Sequence, residues 1–95
     1  MRLAFSAVVF EWRGPAPYLF VRVPDEQAAL IAEVAPAVSY GWGMVPVLVR
    51  VGETELSTAL WPKDGSYVVP LKVALQRAEG IGLDELIEVE LRIEV

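Results

Sequence analysis

Residues 45–69 read VPVLVRVGETELSTALWPKDGSYVV. Val45, Val47, Val49 and Val51 alternate strictly, the period of a strand with one buried face. Gly52-Glu53 interrupts the pattern as a hairpin-like turn, and Leu56, Thr58 and Leu60 then share one face of the next strand. Lys63-Asp64-Gly65-Ser66 supplies a second turn, with Asp-Gly as its strong local signal, and Tyr67 to Val69 is a short strand. Pro46 cannot donate to a ladder, so it marks a sheet edge or a bulge. Strands joined this tightly make the chain mainly β.

Outward from this segment the pattern continues. Residues 86–95 place Ile87, Val89, Leu91, Ile93 and Val95 opposite Glu88, Glu90, Arg92 and Glu94, one face for the core and one for water. Residues 3–12 put Leu3, Phe5, Ala7 and Val9 on one face, and Val8, Phe10 and Trp12 on the other, so both faces are partly apolar. Gly14-Pro15-Ala16-Pro17 reads as a turn into a strand from Tyr18 to Val23. Pro24 opens a helix with Asp25 and Glu26 at its positive end, and Pro36 is expected to end it. Pro70 is expected to open a second helix, from Leu71 to Glu79, with Gly80 as its cap.

Ninety-five residues suffice for a single domain, residues 1–95. The 55% apolar content and mean hydropathy of +0.45 are high, yet no run approaches the ~20 apolar residues of a membrane helix. No secretory signature is visible and cysteine is absent, so the expectation is a cytoplasmic protein without disulfides. The absence of His removes Ser-His pairs, most zinc sites and haem ligation, which leaves carboxylate, Lys or Tyr for any catalysis. The absence of Asn, with only Gln27 and Gln76 as amides, suits a thermophilic source or a GC-rich genome. A net charge of −5 with scattered Arg and Lys disfavours nucleic acid and anionic membranes as partners.

The two halves echo each other. Val23-Pro24 and Val69-Pro70 each precede a helix carrying Ala-Leu and then Ala-Glu. The expected fold is therefore a small closed or nearly closed β-barrel of about six strands with two short capping helices, the echo marking either two pseudo-symmetric halves or a chance likeness of a common local pattern.

Tyr40-Gly41-Trp42-Gly43, Pro46-Val47, Thr58-Ala59-Leu60-Trp61-Pro62-Lys63-Asp64-Gly65 and Tyr67-Val68-Val69-Pro70-Leu71-Lys72, in that order, resemble the family called domain of unknown function 1905. The resemblance covers nearly the whole chain. It implies a double-split β-barrel with helical caps, a bacterial or archaeal source, and no established activity. The family pattern has Gly-Asp before the last strand, whereas here Gly82-Leu83-Asp84 stands. The Pro–helix–turn–strand unit also resembles half of an AbrB-type DNA-binding barrel, but the basic surface such binding needs is missing.

The candidate ligand-binding residues are Tyr40, Trp42, Lys63, Asp64, Tyr67 and Lys72. The loop containing Tyr40 and Trp42 would stack on a flat ligand, or else plug one end of the barrel. Lys63 and Lys72, with the turn N–H groups between them, would suit a phosphate or carboxylate. Ser66 with Lys72 as a nucleophile pair, and Glu88 with Glu90 as a cation site, are weaker readings. No catalytic residue, metal or cofactor is expected. The favoured function is a binding or protein-interaction module for a small molecule or protein, with a homodimer as one way to cover excess apolar surface. The alternatives are a small enzyme using carboxylate, Lys or Tyr, and a nucleic-acid regulator of the AbrB type.

Overall fold

The computed structural model of the protein describes residues 1–12 and 18–95. The turn expected at Gly14–Pro17 lies outside the described residues. In chain order the elements are β1 (Arg2–Val8), β2 (Phe10–Trp12), β3 (Tyr18–Arg22), α1 (Asp25–Val38), β4 (Val45–Val51), β5 (Thr54–Lys63), β6 (Ser66–Leu71), α2 (Val73–Glu79) and β7 (Leu86–Arg92).

Two long stretches of chain each serve two neighbours. β5 pairs with β4 from Thr54 to Leu60, then with β6 from Trp61 to Lys63. The N-terminal stretch divides in the same way, β1 pairing with β7 and β2 with β3. The β4–β7 and β3–β6 ladders complete a seven-stranded antiparallel sheet in the order β1-β7-β4-β5-β6-β3-β2. The residues at the two division points, Val9 and Leu60, are both fully buried.

The sheet is a curled half-barrel and not the closed or nearly closed barrel expected. Its outer strands, β1 and β2, are successive pieces of one stretch, so they run end to end and no ladder joins them. At Val9 the backbone turns instead to the loop before β7. Its N–H donates to the Glu85 carbonyl at 2.8 Å, and its carbonyl accepts from the Asp84 N–H at 2.9 Å. This division also raises the strand number above the six expected. The extra residue in Gly82-Leu83-Asp84 is absorbed here, with Asp84 in the left-handed region at φ 67°.

Both helices depart from their expected limits. α1 runs through Pro36 to Val38, because a proline in the last turn removes a single amide donor and Ser39 N–H still reaches the Ala35 carbonyl. Pro70 lies within β6 and pairs with Phe20, so α2 begins at Val73 with Lys72 as its N-cap. The two prolines of the sequence echo therefore do different jobs. Gly80 ends α2 in the left-handed conformation, as expected. Pro46 belongs to an interior strand, yet the β7 ladder on that side begins only at Leu48, so its missing donor is not required.

The core lies inside the curl. Leu3, Phe5 and Val9 enter it from the N-terminal stretch, Val45, Val47, Val49 and Val51 from β4, Val69 and Leu71 from β6, and Val89 and Leu91 from β7. Ile31 of α1 and Leu75 of α2, both fully buried, anchor the helices. Ser66 is buried but satisfied, its hydroxyl donating to the Val23 carbonyl at 3.0 Å. None of the helices among the described residues is long and apolar enough to cross a membrane.

Gly52 starts the β4–β5 turn at φ 59°, and a Cβ there would clash with the Glu79 carboxylate, which would have to move aside. The Glu79 carboxylate accepts the Thr54 hydroxyl and so pins the end of α2 to this hairpin. Gly52→Ala is expected to cost about 1–2 kcal/mol for the left-handed backbone alone. Displacing Glu79 adds a further loss that Glu79→Ala should already contain. Urea unfolding of the two single variants and the double variant checks this, since strictly additive losses would contradict the contact.

Candidate functional site

The half of the sheet formed by β2, β3, β6 and the end of β5 is apolar on both sides. Val21, Val23, Val69 and Leu71 face the core. The alternate residues face outward and are largely aromatic. Phe20, only 1% exposed, is their hub. Around it stand Phe10 at 6.0 Å, Trp12 at 5.7 Å, Tyr18 at 6.3 Å and Trp61 at 5.1 Å between ring centroids. Phe10 stacks on Phe20, and the other three rings meet it tilted or edge to face, as aromatic quadrupoles favour.

This aromatic layer forms one wall of a groove of about 770 Å³, larger than the neighbouring hollows of about 460, 550 and 410 Å³. Tyr18, Trp61 and Pro70 contribute from the sheet, Tyr40 and Met44 from the turn before β4, and Lys72, Val73 and Gln76 from the start of α2. Ser57, Thr58 and Ala59 of β5 complete the lining. Tyr40 and Met44 are held by a reciprocal pair of backbone hydrogen bonds at 2.9 Å each. Lys72 Nζ donates to the Ser57 carbonyl at 2.7 Å and bridges the groove's two sides, while Gln76 Nε2 donates to the Leu71 carbonyl at 2.7 Å.

The six residues singled out in the sequence do not form one site. Tyr40 and Lys72 meet at this groove. Lys63, Asp64 and Tyr67 line a different hollow, against Asp25 and the small residues of α1. Lys63 and Ser57 lie six positions apart along β5, roughly 20 Å at strand rise, so the two lysines do not act on one anion. Lys63 Nζ sits 3.5 Å from the Trp12 ring centroid and 3.9 Å from Asp64 Oδ2, already engaged by a ring and a carboxylate. Asp64 and Gly65, both at positive φ, form the tight turn that Asp-Gly announces.

Trp42 is 95% exposed at the tip of the Tyr40–Met44 turn, which overturns the aromatic plug as its role. Ser66 is committed to Val23 and stands at the opposite end of β6 from Lys72, so the two make no nucleophile pair. Glu90 faces Arg2 at 3.8 Å, and Arg92 faces Glu55 at 3.7 Å, so this strand face is laced with exposed ion pairs. Among the described residues no three carboxylates gather where they could hold a metal ion.

Segments far apart in the chain thus converge on the groove: the Tyr40 turn, Thr58 to Trp61, and Pro70 to Lys72. These are the segments that carry the family resemblance. A family model described as domain of unknown function (DUF1905) matches residues 5–91. The chain belongs to the DUF1905 family. No curated protein matches it. The matched span runs from β1 to β7, so the DUF1905 unit is the whole curled sheet with both helices. Within this DUF1905 chain, Tyr18, Trp61 and Gln76 are groove residues that sequence reasoning missed. A signal existed for the first two. Tyr18 and Phe20 alternate with Val21 and Val23, and Trp61 follows the core residue Leu60, which puts these rings on the face away from the core.

Proposed function

We propose that this DUF1905 chain is a non-catalytic binding module whose ligand is a small molecule held in the aromatic groove. The observation that carries this reading is the convergence of Tyr40, Trp61, Pro70 and Lys72 on one hollow of about 770 Å³. Ligand sites fall in roughly this range, about 300–1,000 Å³, and are mostly apolar with a few placed polar groups. Tyr18 and Tyr40 are each 55% exposed, so their rings are available to a ligand without unfolding anything. The floor beneath them is rigid, because Phe20 and Trp61 are locked edge to face. A preformed site of this kind loses little ordering entropy on binding.

The test is a screen of flat fragments of all charge types, followed by amide and indole N–H chemical shifts. Ligands are expected to move the Trp61 indole signal and leave Trp42 unmoved. Tyr40→Ala should weaken binding about five- to thirtyfold, at ~1–2 kcal/mol for a lost aromatic contact, with little change in the unfolding midpoint. A screen in which no fragment perturbs Trp61 or Tyr40 would sink the reading.

A further inference from the structure

The groove differs from the other hollows in its charge. The protein carries 13 acidic residues and a net charge of −5. Three further hollows among the described residues each have at least one carboxylate in the wall: Glu88 and Glu90, Asp25 and Asp64, or Glu94. The aromatic groove has none among the described residues, and its one charged group is Lys72. An ammonium has three donors, and Ser57 occupies one of those of Lys72. The other polar side chains in the wall are hydroxyls and the Gln76 amide, all able to donate.

From this we infer that the ligand is a planar aromatic molecule bearing a carboxylate, its ring against Tyr18, Tyr40 and Trp61 and its anionic end on Lys72. The inference rests on the groove being a binding site and adds the chemical class. A cationic ligand would meet Lys72 with no carboxylate to offset it. A neutral one would leave the two remaining Lys72 donors to water. A carboxylate accepts both and meets no like charge in the wall. The net charge of −5 repels anions from the surface at large, and Lys72 is the local attraction the groove sets against it.

The experiment compares three probes with one flat body: a naphthalene carboxylate, its carboxamide and its aminomethyl analogue. Affinities are measured calorimetrically, and the site is read from amide and indole N–H chemical shifts, on the full chain, as wild type, Lys72→Gln, Lys72→Arg and Lys63→Gln. The carboxylate is expected to bind about five- to tenfold more tightly than the amide, the scale of one charge-assisted hydrogen-bonded pair at a partly open site. Lys72→Gln should erase that preference and leave the amide unchanged, Lys72→Arg should keep most of it, and Lys63→Gln should have no effect. Equal binding of carboxylate and amide, or tightest binding of the cation, would overturn the charge class while the groove stands as a site. Probes that shift only the hollow around Lys63, or a proline-rich peptide that binds where the naphthalenes do not, would overturn it as well. Failure of all three probes to move Trp61 would reject the groove reading along with it. A thermal midpoint for each variant separates loss of binding from loss of fold.

Discussion

Replacing Phe20 by alanine is expected to lower the unfolding free energy by about 3–5 kcal/mol, the largest loss from any single ring in the protein. Phe20 is 1% exposed and lies outside the main core, as the common neighbour of Phe10, Trp12, Tyr18 and Trp61. Its removal strips the ring from all four at once. Its backbone is held on both sides, by Phe10 of β2 and Pro70 of β6, so the gap is not closed by a shift of the strand. At ~4–8 °C per kcal/mol, the midpoint should fall by about 12 °C or more. Near-ultraviolet circular dichroism should lose intensity as Trp12 and Trp61 lose their fixed packing. The comparison is Tyr18→Ala, which removes a ring that is 55% exposed and should cost about 1 kcal/mol or less. If the two variants lose equal stability, the aromatic layer is a surface decoration and not a second core.

Leu60→Ala is the other large expected loss, about 3–5 kcal/mol. Leu60 is fully buried and is the last residue of β5 to pair with β4, opposite Val45. The next residue, Trp61, pairs with Val68 of β6. Ladders pulling in two directions fix the backbone on either side of the cavity, which prevents collapse and puts the cost at the upper end for this substitution. Val9→Ala, at the equivalent division of the N-terminal stretch, removes less volume and should cost about 1.5–3 kcal/mol. Its neighbours include the Asp84–Glu85 loop, which can follow it inward. Urea unfolding of both variants tests this order. A loss below about 1.5 kcal/mol at Leu60 would mean that the junction repacks freely.

The stability of the domain thus comes from two apolar layers on either side of β3 and β6. The four ion pairs among the described residues, with N–O distances of 3.7–3.9 Å, contribute little at such exposure. The same outer layer that holds the sheet supplies the groove. A variant of Phe20 should therefore weaken ligand binding as well, whereas Gly52→Ala, at the far end of β5 from Trp61, should spare it.

Local patterns were sufficient for most of the elements. The alternation of Val45 to Val51, the Asp64-Gly65 turn, the Gly80 cap and the core face of β7 are properties of a few adjacent residues, and a strand or turn needs no distant partner to declare itself. The helix limits were less legible. Pro36 and Pro70 have the same local chemistry as a helix breaker and a helix opener, yet the first sits in a last turn and the second in a ladder with β3. Family membership was also carried by short ordered motifs. What the sequence by itself determined was therefore the mainly β class and the family.

Only the tertiary structure decided the rest. Where a strand leaves one partner for another depends on hydrogen bonds to residues far along the chain, as at Val9 with Asp84 and Glu85. The tertiary arrangement leaves the barrel open, Trp42 at the tip of its turn in solvent, and Lys63 and Lys72 at separate ends of the β5–β6 hairpin. It also brought Tyr18, Tyr40, Trp61 and Lys72 to one groove from four separate segments. The physical reason is range: periodicity records which face of a strand avoids water, but the neighbour that covers it is selected by the packing of the whole sheet.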